Sequence, residues 1–454
     1  MPDKSSATDG PLTGPLLPEQ ARFLERDLPN PHHWNVSQLY AVPTELGIER
    51  IRAAVRGIVA RNDVLRLRMD ANGDGYGLLP PDERFDATAR DTEALTPAEL
   101  TAFVTADAEK LHQEFALDQG PLIRCVHYPH PVAPRLLLLC HHFVVDQVGW
   151  LLLQAQLDAG LRGAEVTPPA VSYLDATRWL ADRARSAELA ADAALWEELV
   201  DSGQPPEPGP GGGPNSVGLT QLTCARLPAA DVRSLLDPLG AGNRVTINAV
   251  AVVSVINALF PGRDDVRATV NLIGSGRRGI PGMPNLSRTI GDFTCLYPVT
   301  VRLATTAPVV DQLHAAQRHL DRVPSAGISF GLLKYLGEPG VRERLGRLPI
   351  GDITANYVGR RLPSRLTVLR EVPESSGDDL PLGGERDNLH EVDFVLDSGS
   401  LEIRWYTSSG CYPEERVESY LARALRTLTG PDGPNAVRDE GGVRAEEREG
   451  ARHG

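Results

Sequence analysis

The 454 residues are 41% hydrophobic and 23% charged, an ordinary globular balance in a chain too long for one simple core, so two domains or lobes are expected. A formal net charge of −14 leaves no electrostatic footprint for nucleic acid, and no apolar run reaches the about 18 residues that a membrane-spanning helix needs. The start of the chain lacks the basic-then-apolar pattern of a secretory signal, and the five scattered cysteines form no CxxC pair, so a cytoplasmic protein with neither a zinc site nor a disulfide framework is expected.

Residues 1–14 are rich in Gly, Pro and charge and are expected to be disordered. Residues 44–61 place Ile48, Ile51, Val55, Ile58 and Val59 at helical spacing, with Thr44 as the expected N-cap. Residues 65–69 alternate apolar and basic side chains like a half-buried strand. The run RLLLLC at 135–140 is short, unbroken and apolar, which predicts a strand buried on both faces. Residues 172–200, rich in Ala, Leu and Glu, read as helix. The segment 202–215 (SGQPPEPGPGGGPN) can be neither helix nor strand and divides the chain into halves of similar size. Thr246 then caps an apolar helix ending at Leu259, and residues 267–273 and 297–303 read as strands. Residues 415–428 form a closing amphipathic helix before a charged, Gly-rich tail. The sum is an α/β protein with mixed sheets.

The apolar strand at 135–140 runs directly into His141, His142 and, four residues later, Asp146. Two imidazoles at the end of a core strand need partners, because an unpaired buried polar group is costly. Neighbouring strand residues face opposite sides, so only one histidine can face a given cavity and a joint metal site is not expected. Gly274-x-Gly276-x-x-Gly279 fits a dinucleotide-binding fingerprint on paper, but Ile280-Pro281-Gly282-Met283-Pro284 cannot supply the helix that such a motif needs. Cys140 reads as inert core, and His32-His33-Trp34 reads equally as strand entry or as the wall of a site.

HHxxxD closing a buried strand resembles the active-site motif of nonribosomal peptide synthetase condensation domains, within the chloramphenicol-acetyltransferase-like superfamily. Further segments resemble the same family in order: Pro15-Leu16-Leu17-Pro18-Glu19-Gln20, Ala60-Arg61-Asn62-Asp63-Val64-Leu65-Arg66 and Phe115-Ala116-Leu117-Asp118-Gln119-Gly120-Pro121-Leu122. They continue with Ile290-Gly291-Asp292-Phe293-Thr294-Cys295-Leu296-Tyr297-Pro298 and Ala355-Asn356-Tyr357-Val358-Gly359. The resemblance implies two acetyltransferase-like lobes in a V-shaped pseudo-dimer, at 15–185 and 217–430, with a central channel. Residues 186–216 would hold the end of a helix and the linker, and 431–454 a disordered tail.

On that resemblance His142 faces the channel as the catalytic base, while His141 packs inward. Asp146 is structural and pairs with Arg277 of the Gly276-Arg277 motif. Gly149 and Trp150 become candidates for oxyanion or substrate contacts, as do Asn356 and Tyr357. The implied reaction is direct transfer of an aminoacyl or aryl-type acyl group from a carrier-protein phosphopantetheine thioester to an alcohol or amine. No tightly bound cofactor or metal is implied. The partners would be a peptidyl carrier protein on a separate chain and a small-molecule acceptor, as for stand-alone tailoring enzymes of enediyne pathways. A coenzyme A-dependent acyltransferase and a non-catalytic carrier-recruiting module are the competing readings.

Two departures stand out. Gln147 replaces the usual glycine after the aspartate, and Gly149 the usual serine. Several segments, including Asn30-Pro31-His32-His33-Trp34-Asn35 and Phe330-Gly331-Leu332-Leu333-Lys334-Tyr335-Leu336, resemble epimerisation domains, a sister branch. That branch supplies a glutamate as its second acid/base. Here the matching position is Ile273, which cannot move a proton, so transfer is the expected chemistry.

Overall fold

The computed structural model describes residues 12–26, 28–236, 245–361 and 364–429. Most of the segment 1–14 and the tail from residue 430 lie outside these. Thr13 and Gly14, expected to be disordered, instead belong to a strand.

The first half begins with β1 (Thr13–Pro15), α1 (Pro18–Glu25), β2 (Asn35–Ala41) and α2 (Ile48–Arg61). There follow β3 (Leu67–Met69), β4 (Gly75–Leu78), β5 (Thr88–Ala89), α3 (Pro97–His112), β6 (Ile123–Tyr128) and β7 (Arg135–His141). It closes with α4 (Gln147–Leu161), α5 (Tyr173–Ala184), α6 (Ala187–Ala190) and α7 (Asp192–Leu199). Leu136 to Leu139 of β7 are almost wholly buried, as an unbroken apolar run requires. β7 is the middle of a five-stranded sheet, flanked by β2 and β6 in antiparallel register.

The second half contains β8 (Thr220–Leu227), α8 (Ala229–Leu236), α9 (Ile247–Leu259), β9 (Val266–Gly274) and β10 (Cys295–Leu303). α10 (Val309–Leu320), α11 (Ile328–Leu336), α12 (Pro339–Gly346), β11 (Ile353–Arg361) and β12 (Arg370–Glu371) come next. β13 (His390–Asp397), β14 (Ser400–Ser408) and α13 (Glu414–Thr429) complete it. Six strands form a mixed sheet in the order β10-β9-β11-β13-β14-β8, parallel at β9–β11 and β11–β13. Thr246 caps α9 by accepting the Ala249 N–H at 3.3 Å. α9 is buried from Ala249 to Leu259, the mark of a helix enclosed on all sides.

Three local expectations are corrected. α2 starts at Ile48 behind Gly47, so Thr44 is not its cap; Leu46 is buried just before it, and the intervening residues are used as a turn. Residues 63–66 form a 3-10 turn, leaving only Leu67–Met69 as strand. The helix expected over 172–200 is broken into α5, α6 and α7, with Ser186 capping a fresh turn through the Leu189 N–H. The Pro/Gly segment forms neither helix nor strand, yet it is pressed onto the second half. Gly203 N–H donates to Thr269 Oγ1 at 3.1 Å, and Gly211 N–H to the Cys411 carbonyl at 3.0 Å. A Cβ on Gly209 would overlap the Cys411 carbonyl oxygen, so the glycines are there for close backbone approach.

The halves are joined at several points. Ser329 on α11 accepts the indole N–H of Trp196 on α7, at 3.1 Å. Beyond β11 the chain crosses to the first half, where β12 pairs with the edge strand β2 and Asn35 N–H bonds the Asp379 carbonyl at 2.8 Å. Asp158 on α4 anchors that strap: its Oδ1 accepts the N–H groups of Thr367, Val368 and Leu369 at 2.8, 2.7 and 3.1 Å. Burial pushes the Asp158 carboxyl up, but these donors and Arg162 outweigh it and hold the group below its ordinary range. A depressed carboxylate pKa stabilises the fold above the unfolded value and loses that effect as pH falls through the folded value. Asp158→Ala should therefore cost about 1.5–3 kcal/mol in urea unfolding at pH 7. The difference from wild type should shrink as the pH drops below about 4.

Candidate active site

β7 leaves the sheet at His141, and His142–Val144 form a 3-10 turn before Asp146 opens α4. His141 is fully buried. Its Nδ1 accepts the Phe143 N–H at 3.1 Å, so Nε2 carries the proton and donates to the Pro31 carbonyl at 3.0 Å. Burial pushes its pKa down to about 3, so the ring is neutral and part of the core.

His142 points elsewhere. Its ring stacks on the Trp34 indole, centroids 4.3 Å apart and planes 7° from parallel. Its backbone N–H bonds the Trp34 carbonyl at 2.7 Å. Nδ1 lies 3.7 Å from Oδ2 of Asp292, longer than a hydrogen bond but close enough for charge attraction. Burial opposes protonation of His142, yet Asp292, then Asp146 and Glu19, outweigh it and move the pKa above its ordinary value.

Asp146 caps α4 through the Gly149 N–H, which reaches Oδ1 at 2.6 Å, and its Oδ2 accepts the Phe293 N–H at 3.0 Å. Arg277 completes the set with a two-pronged contact, Nη1 to Oδ2 and Nη2 to Oδ1, both 2.9 Å. The guanidinium also stands over the Phe293 ring, 4.6 Å from its centroid. Burial pushes the Asp146 carboxyl up, against the downward pull of the Arg277 guanidinium beside it. Gly276 makes the reach possible. Its φ is +60°, and a Cβ there would collide with the Phe293 carbonyl oxygen.

A cavity of about 120 Å³ opens between the halves. Arg22, His33 and Trp34 line it from the first half, and Ile273, Leu296, Thr354 and Tyr406 from the second. Trp34 belongs both to this wall and to the stack on His142.

The Condensation domain family matches residues 13–345, most of the chain. The chain belongs to this family. It is 28% identical to a linear gramicidin synthase of Brevibacillus parabrevis over 443 residues, covering 93% of this chain but only 9% of that synthase. Among solved structures, the epimerization domain from the third module of tyrocidine synthetase B superposes with a TM-score of 0.79 at 22% identity, covering 93% of this chain and 98% of that one. The SgcC5 protein of Streptomyces globisporus superposes at 0.65 with 16% identity, covering 91% and 97%. The architecture is thus the two-lobed, chloramphenicol-acetyltransferase-like fold of nonribosomal peptide synthetase condensation domains.

The structure brings His142, Asp146 and Arg277 of this condensation domain together and leaves other expected residues apart. Gly149 is corrected as an oxyanion donor, because its N–H is spent on Asp146. A side chain at 149 would crowd Gly291, whose oxygen lies 3.0 Å from the Cβ position, which accounts for glycine there in place of serine. Trp150 is buried in the α4 core, and it is Trp34, not Trp150, that stacks on His142. Asn356 donates to Asp393 Oδ1 at 3.1 Å, a pairing across neighbouring strands, and Tyr357 packs against the core. Reading the sequence misses Asp292 as a site residue and leaves Trp34 open between strand entry and site wall; the structure puts it in the wall. The signal for Asp292 is a carboxylate amid apolar and glycine neighbours, Ile290-Gly291-Asp292-Phe293, where burial demands a partner.

Losing one member of a buried pair strands the other charge. Arg277→Ala should therefore lower unfolding free energy by about 3–5 kcal/mol in chemical denaturation. Arg277→Lys, which keeps the charge without the planar fork, should fall between Arg277→Ala and wild type.

Proposed function

We propose that this condensation domain transfers an aminoacyl or aryl-type acyl group from the phosphopantetheine thioester of a carrier protein to an amine or alcohol, with His142 as the base. The supporting observation is the placement of His142. One ring face rests on a residue of the cavity wall, and Nδ1 sits beside a buried carboxylate. In the reaction the acceptor nitrogen or oxygen bonds to the thioester carbonyl carbon and the C–S bond breaks. The acceptor's proton passes to His142 and from there to the departing pantetheine thiolate, so no acyl-enzyme is needed. Holding both reactants in the cavity supplies the proximity contribution. Asp146 and Arg277 act as a strut and carry no proton.

The likeness to an epimerization domain gives a second reading, abstraction and return of the Cα proton of an aminoacyl thioester. It needs a second acid/base across the cavity. Ile273 and its cross-strand partner Leu296 line the wall at the matching position, and both are apolar. This favours transfer.

The test is incubation of the purified chain with an aminoacyl carrier protein, acyl coenzyme A or a small thioester, with an amine or an alcohol, in deuterated water, followed by mass spectrometry. The Streptomyces globisporus relative is seen with a diol, so the alcohol arm is as informative as the amine arm. Ester or amide product from the carrier thioester, without deuterium at Cα, supports the proposal. Deuterium without product would turn the assignment to epimerisation, and product from coenzyme A alone would replace the donor. His142→Ala should slow transfer about 100- to 10,000-fold, more for the alcohol than for the more nucleophilic amine.

A further inference from the structure

Asp292 is fully buried, yet only one of its carboxylate oxygens is engaged as a turn residue requires. Oδ1 accepts the Thr294 N–H at 3.0 Å. Oδ2 accepts no hydrogen bond among the described residues and is aimed at His142 Nδ1, 3.7 Å away. A carboxylate oxygen in such a place is costly unless a positive charge or a donated proton faces it.

The aim of Asp292 is set by its neighbours. Gly291 on one side accepts the Asp146 N–H at 3.2 Å and an Arg277 Nη2–H at 3.3 Å through its carbonyl. Phe293 on the other gives its N–H to Asp146 and its ring to the Arg277 guanidinium. The imidazole is equally constrained, by the Trp34 stack and by the backbone bond from His142 to Trp34. Asp292 and His142 thus face each other from two immobilised segments, one in each half of the chain.

We propose that Asp292 is a positioning residue for His142, holding the imidazole as its Nδ1–H tautomer so that the lone pair which takes the acceptor's proton sits on Nε2. This rests on His142 as the base of the transfer described above. The same carboxylate then neutralises the imidazolium that forms when Nε2 takes that proton. His142 Nδ1 and Asp292 Oδ2 stand 3.7 Å apart, and hydrogen bonds of catalytic pairs are often long before reactants bind. Among the described residues, the groups acting on the ring include Asp292 from the β9–β10 connection, Asp146 with its partner Arg277, Glu19 from α1, and the neutral His141. Of these, Asp292 acts most strongly to favour the protonated ring.

Two measurements test this on the full chain. Nitrogen-15 NMR of histidine-labelled protein, with His142 assigned by the signals lost in His142→Gln, should show Nδ1 protonated and Nε2 bare at high pH. Asp292→Asn should move the His142 titration to lower pH, because the charge that favours imidazolium is gone. In kinetics, Asp292→Asn should lower kcat about 10- to 100-fold with KM within about twofold, a share of what a positioned base contributes. The acid limb of the pH profile should shift down in step with the NMR titration. In a His142→Ala background the same change should cost nothing further. An Nε2–H tautomer in the wild type, or an unmoved titration in Asp292→Asn, would overturn the proposal. A wild-type chain with no transferase activity would defeat the functional reading alone, since the tautomer and titration are read without turnover.

Discussion

The buried Asp146–Arg277 pair is the contact on which the site depends. It is the point where a loop of the first half and the motif after β9 in the second half meet through charge. A bidentate pair of this kind is demanding in angle as well as distance, so it fixes orientation where apolar packing would tolerate slippage. Its value here is geometric. Desolvating two charges consumes most of what their attraction supplies, and a well-packed apolar pair of the same volume could match it for stability. What an apolar pair could not do is also bind the Gly149 and Phe293 N–H groups, which ties the start of α4 to the chain that carries Asp292.

Much of the fold was legible because its central elements are extreme in composition. A strand of consecutive leucines and a helix reading Ile-Asn-Ala-Val-Ala-Val-Val have few alternatives in a globular chain. The elements that were misread are marginal ones. The start of α2, the single turn at 63–66 and the breaks within 172–200 are decided by caps and by packing against distant segments, neither of which shows as periodicity.

The site divides in the same way. His142, Asp146 and Arg277 stand in recognisable short motifs, but the two histidines part because the chain turns into a 3-10 helix at His142, just past the end of β7, and not by alternation along the strand. Trp34 and Asp292 come from segments 108 and 150 residues away from His142, and only the folded chain makes them neighbours of its ring. Gly149 illustrates a related limit. Its backbone N–H looks available in sequence, and its commitment to the preceding carboxylate appears only once the helix cap is seen.

The strap that runs from Asp158 to β12 bears on how the chain is made. Along β2 it covers the outer edge, with Val372 N–H on the Leu39 carbonyl and Asn35 N–H on the Asp379 carbonyl. An uncovered strand edge is a template for pairing with any other extended chain. During synthesis the first half emerges with that edge open, and it stays open until residues 370–379 have left the ribosome. The first lobe is therefore complete as a core long before it is complete as a surface, and its solubility in that interval is borrowed from whatever else shields β2.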